Sequence, residues 1–122
     1  MGLNREFFWK KSKERVQTMM PKLVRDRIPD IIRTHGERPK ICRLDDRAYG
    51  EALKAKLVEE VDEYVRATDD ALRVEELVDV LEVVRALAAF HGVDAELLEM
   101  KRAEKCRDRG AFSERIFLID VE

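Results

Sequence analysis

Cysteine is nearly absent from this 122-residue chain, and the two present, Cys42 and Cys106, stand far apart with no C-x-x-C spacing. That argues against a disulfide framework and a cysteine-based zinc site, and leaves two free, buried thiols as the expectation. Charge of one sign is missing too. Charged residues make up 41% of the chain, yet the formal net charge is only -2. Basic and acidic side chains are therefore interleaved, with no basic excess to mark a general nucleic-acid-binding surface. No apolar run approaches the roughly 20 residues of a membrane span, and the N-terminus has no signal-peptide apolar region. These absences predict one small cytoplasmic domain that binds neither nucleic-acid polymer nor membrane.

The order of the chain predicts mostly helix. Residues 1–20 stand apart as an N-terminal extension, rich in Lys and Arg, with Phe7, Phe8 and Trp9 together. They read either as a short amphipathic helix for a partner or as a frayed leader before Met20. The domain proper is then 21–122. Pro29 suits the first turn of a short helix that Gly36 closes, and His35 and His91 precede glycines as helix-end residues, not catalysts. Asp45 or Asp46 can cap a long helix to about Ala67, and Asp69 or Asp70 a second one to His91. The first shows Tyr49, Leu53, Leu57, Val61 and Tyr64 or Val65 at helical spacing, predicting its buried stripe. In the second, Leu72, Leu77, Val80, Leu81, Val84, Leu87 and Ala88 play that part. So short a connection makes the two helices antiparallel neighbours. Asp94 caps a third long helix that Gly110 ends. Residues 38–44 and the apolar tail from Phe112 to Val121 read as short strands, able to pair with each other. The expected fold is thus a mainly α antiparallel helical bundle with at most a small C-terminal β element.

Five acids carry the chemistry: Glu59, Glu60 and Glu63 on one helix, Glu76 and Asp79 on the next. Partners three apart project from one side of a helix. With Leu57 as the centre of the buried stripe, Glu60 lies about 60° and Glu63 about 120° to one side, and Glu59 further round, near solvent. With Leu77 as centre, Glu76 lies about 100° and Asp79 about 160° away. Both pairs thus border the apolar faces, where two antiparallel helices can aim them into one cleft. Acids gathered this way repel unless a cation sits among them, and Mg²⁺ is the hard, oxygen-seeking candidate. A plain solvated face is the alternative. It would more often carry compensating bases four residues on, where Glu60 and Glu63 have Tyr64 and Ala67.

The string Glu59-Glu60-Val61-Asp62-Glu63, twelve intervening residues, then Glu76-Leu77-Val78-Asp79 resembles the metal motif of the MazG-like all-α nucleoside triphosphate pyrophosphohydrolases. Lys22 to Pro29 (KLVRDRIP) and Arg109-Gly110-Ala111-Phe112 resemble the opening and the R-G-x-F ending of a phosphoribosyl-ATP pyrophosphohydrolase-like branch of that family. The likeness spans about residues 20–118. It implies that Glu60, Glu63, Glu76 and Asp79 hold Mg²⁺ or Mn²⁺ while a nucleotide is hydrolysed between its α- and β-phosphates. It also implies a homodimer or dimer of dimers with a shared helical core, consistent with a small chain that cannot cover its own apolar stripes.

Glu59, beside the ligands, is the candidate to orient or deprotonate the attacking water. Lys22, Arg25 and Arg27 before the first helix, Lys56 one turn before Glu60, and Lys101, Lys105 and Arg109 on the last helix are candidate substrate contacts. Arg25, Lys56 and Arg109 are the preferred phosphate grips. Two other functions fit the same residues: hydrolysis of phosphoribosyl-ATP, and a non-catalytic, metal-dependent nucleotide-binding module. No residue specifies a base or sugar.

Overall fold

The protein, in a computed structural model that describes residues 21–122, forms four helices: α1 (Ile28–Thr34), α2 (Asp46–Arg66), α3 (Asp70–Phe90) and α4 (Ala95–Arg109). The expectations placed on residues 1–20 lie outside the described residues. Aspartate opens each long helix. The side chain of Asp45 accepts from Ala48 N at 2.9 Å, Asp69 from Leu72 N at 2.9 Å, and Asp94 from Leu97 N at 2.8 Å. Each satisfies a backbone donor that has no partner in the first turn, and placing it by Ala would cost about 1 kcal/mol.

Glycine follows the C-cap of α1 and α3 and itself caps α4, whereas α2 ends at Ala67. At the end of α3, Gly92 N donates to Ala89 O and Val93 N to Ala88 O, the 5→2 and 6→1 bonds of a Schellman closure. The closure needs a left-handed residue, and Gly92 has φ 83°. The turn returns the chain so that α4 packs on α3.

The link of residues 67–69 forces α2 and α3 antiparallel, and they form the main helix pair. Their far ends meet at Gly50. A Cβ placed there would lie 2.7 Å from Phe90 Cζ, so only glycine admits the ring. Tyr49 meets Phe90 edge-on, with centroids 5.8 Å apart.

The buried stripes are rotated from those the periodicity predicts. On α2 the inward side chains include Leu53 and Glu60, while Val61, Tyr64 and Val65 are exposed. On α3 Glu76 and Val83 turn inward, while Leu77 and Leu81 are about half exposed. Among the described residues, the buried hydrophobic side chains are Ile28, Leu53 and Val83 alone. The angular estimate took Leu57 and Leu77 as the centres of the buried stripes and put the acids at their border, whereas Glu60 and Glu76 lie within the seam itself.

The strands are a second correction. No strand forms among the described residues, either at 38–44 or after Phe112. A strand needs a neighbour for its backbone groups, and these two segments do not pair. Cys42 and Cys106 are free, as expected, but Cys42 is exposed.

Candidate metal centre

Glu60 stands one turn beyond Lys56 on α2, and Glu76 and Asp79 stand one turn apart on α3. Antiparallel packing brings the three acids together. One carboxylate oxygen from each of Glu60, Glu76 and Asp79 lies within 4.8 Å of the others. Glu60 is only 1% exposed and Glu76 only 3%. Burying carboxylates side by side is unfavourable unless positive charge accompanies them. A cluster of hard oxygen donors with this spacing is able to hold a metal ion, and carboxylates suit the harder divalent cations.

Part of the positive charge comes from the protein. Lys56 Nζ lies 3.4 Å from Glu60 Oε1 and 3.3 Å from Glu59 Oε1. Lys22 Nζ reaches the same Glu59 oxygen at 3.1 Å, and Arg25 binds Asp79 Oδ1 at 2.7 Å. The segment before α1 therefore lies across the acidic cluster as a basic strap. Among these described groups, four acids (Glu59, Glu60, Glu76, Asp79) face three bases (Lys22, Arg25, Lys56).

Glu59 departs most from its expected setting. Helical angle puts it near solvent, yet its side chain is only 7% exposed because Lys22 and Lys56 fold over it. Burial alone would raise its pKa. The Lys56 charge, with the hydrogen bond and charge of Lys22 and the Lys56 hydrogen bond, outweighs that and holds it below the ordinary 4.5.

Glu63 is half-buried, and its carboxylate is not part of the three-acid group. Lys22, Arg25 and Lys56 are at the cluster. Arg27 is exposed at the N-cap of α1, and Lys101, Lys105 and Arg109 are exposed on α4. None of those four forms an ion pair with the cluster among the described residues. Sequence reasoning missed the direct lysine–carboxylate contacts at Glu59. The sequence signal was present, since Lys56 lies three residues before Glu59 and four before Glu60, both neighbouring positions on a helix. Among the described residues no helix is long and apolar enough to cross a membrane.

No family model matches this chain, and no solved structure matches it. It is similar to an uncharacterized protein of Mycolicibacterium smegmatis, with 56% identity over 50 residues. That match covers 41% of this chain, and the chain spans about half the length of that relative.

Proposed function

We propose that this protein is a Mg²⁺-dependent nucleotide pyrophosphohydrolase that converts a nucleoside triphosphate and water to a monophosphate and pyrophosphate. The observation that carries this reading is the convergence of Glu60, Glu76 and Asp79 within 4.8 Å on two packed helices. Beside it stand the basic side chains that phosphate binding needs. The family resemblance of the sequence supplies the reaction class.

Glu60, Glu76 and Asp79 would hold the ion, with Glu63 as a further ligand from the next turn of α2. Bound Mg²⁺ neutralises phosphate charge, orients the reacting groups and acidifies water. Phosphoryl transfer depends mostly on positioning and charge, and the remaining parts follow from that. Arg25, partly exposed beside Asp79, and Lys56 offer the phosphates charge-assisted contacts. Glu59 has its pKa held down by two lysines, which makes it a weak proton acceptor at neutral pH and a good anchor. Its role in this reading is to orient the attacking water through a carboxylate oxygen. A homodimer or dimer of dimers belongs to the reading, because the exposed valines and leucines of α2 and α3 need cover.

The same lysine clamp on Glu59 also favours a second reading, a nucleotide-binding module without turnover. A panel of NTPs, dNTPs and phosphoribosyl-ATP, with Mg²⁺ or Mn²⁺ and with chelator, separates the possibilities. Metal-dependent release of pyrophosphate together with monophosphate is expected. Nucleotide binding by calorimetry with no release across the panel would leave the binding module.

A further inference from the structure

The strap before α1 is held to the helix pair at points of unequal strength. Lys22 Nζ meets Glu59 Oε1 at 3.1 Å, with the two side chains only 9% and 7% exposed. Further along, Ile28 is 4% exposed. Midway between them Arg25 Nη2 donates to Asp79 Oδ1 at 2.7 Å, and there the arginine side chain is 41% exposed. Ile28 N donates to Arg25 O at 3.0 Å, so the backbone of Arg25 is fixed from both sides. Its side chain is not, because an ion pair this open to water is weakly held.

Asp79 is also one of the three acids whose oxygens lie within 4.8 Å of one another. Its carboxylate therefore faces two claims. The guanidinium already draws on Oδ1, and a divalent ion drawn into the group would bring further positive charge to the same side chain. Two cations that share one carboxylate, itself only 15% exposed, repel across a medium less polar than water. Lys56 also stands beside a member of the group, 3.4 Å from Glu60. It is 12% exposed and shared with Glu59, so it has no comparable route into water.

We propose that Arg25 is a built-in competitor for the metal at Asp79, its guanidinium swinging into water as a divalent ion binds. The strap itself stays in place, held by Lys22 and Ile28. Arg25 is then a positioning residue that sets metal affinity through Asp79. The released guanidinium remains tethered beside the ion, ready for a phosphate. The proposal rests on the metal part of the reading above and on none of its hydrolysis.

The test uses the full chain and Mn²⁺ alone, with free Mn²⁺ followed by electron paramagnetic resonance. Arg25→Ala should bind Mn²⁺ at least about 5-fold tighter than wild type, the lower end of ordinary coupling between sites. Arg25→Lys keeps the charge and should stay close to wild type. Arg33→Ala removes an equal charge from the Arg33–Asp30 pair on α1 and should leave the affinity little changed. A second readout follows the side chain itself. In ¹⁵N spectra the Arg25 Nε–H signal, assigned by its loss in Arg25→Lys, should move toward the positions of exposed arginines as Mg²⁺ saturates. If Arg25→Ala binds Mn²⁺ equally or more weakly, Arg25 supports Asp79 as an outer-shell partner would, and the proposal is overturned. An Arg25 signal unmoved at saturating Mg²⁺ overturns it as well. Binding of Mn²⁺ with unchanged affinity sinks this proposal alone, whereas no Mn²⁺ binding by either wild type or Arg25→Ala takes the metal part of the reading with it.

Discussion

The two sides of the α2–α3 pair invert the usual layout of an amphipathic helix. The inner seam holds Glu60 and Glu76, while the outer stripe shows Val58, Val65, Val74 and Leu81 to water. Hydrophobic burial alone would arrange them the other way. Glu60, Glu76 and Asp79 at the seam could hold a metal ion, and the outer stripe is apolar and exposed, so the two faces suit different kinds of binding.

The sharpest way to break this contrast is Glu76→Leu. Metal-dependent pyrophosphate release should fall by more than the roughly 10–100-fold that loss of an outer-shell partner causes. Turnover assays with Mg²⁺ and with chelator read the effect, and a variant that keeps wild-type release would remove Glu76 from the metal site.

Next in size is the difference between an inner and an outer apolar residue. Leu53→Ala should cost about 2–5 kcal/mol in denaturant unfolding. Val65→Ala, at a position 72% exposed, should change the unfolding of a dissociated chain by less than about 0.5 kcal/mol. Equal effects would mean that the two faces are not distinct.

Gly50→Ala probes how tightly the far end of the seam is closed. Its methyl group meets the Phe90 ring at 2.7 Å, and overpacking of this kind costs about 1–3 kcal/mol. Phe90→Leu in the same chain should recover part of the loss in melting temperature. Without such recovery, the Gly50–Phe90 contact does not set the helix spacing.

The smallest effect is a pH dependence at Glu59. Its folded-state pKa lies below the ordinary 4.5, so its stabilisation is present above the unfolded value and fades as pH falls through the folded one. The melting temperature of wild type should exceed that of Glu59→Gln at neutral pH, and the gap should close only below about pH 4.5. A gap that widens on acidification would remove the lysine clamp.

Much of this was legible from local chemistry. Asp45, Asp69, Asp94, Gly36, Gly92 and Gly110 mark helix starts and ends by backbone hydrogen bonding within a few residues, and the helices begin and end there. The acids of the motif were likewise visible, and three of them converge. The rotation of each helix about its axis was not. Leu77 outranks Glu76 on any hydropathy scale, yet Glu76 is the buried one, because its surroundings across the seam decide the matter. The solvent position inferred for Glu59 failed for the same reason: Lys22, 37 residues away, closes over it. The tail has the composition of a strand, but pairing depends on a neighbour that no local pattern can guarantee.

By itself, the order of residues determined four helical segments, their caps and turns, an antiparallel central pair and the acids placed to meet across it. All of these follow from interactions spanning a few residues. Only the tertiary structure decided that the carboxylates turn into the seam, that the strap before α1 covers them with lysine and arginine, and that the valine stripe and C-terminal tail stay open. Those outcomes depend on which distant groups share a low-dielectric space, and that is a property of packing rather than of neighbouring residues.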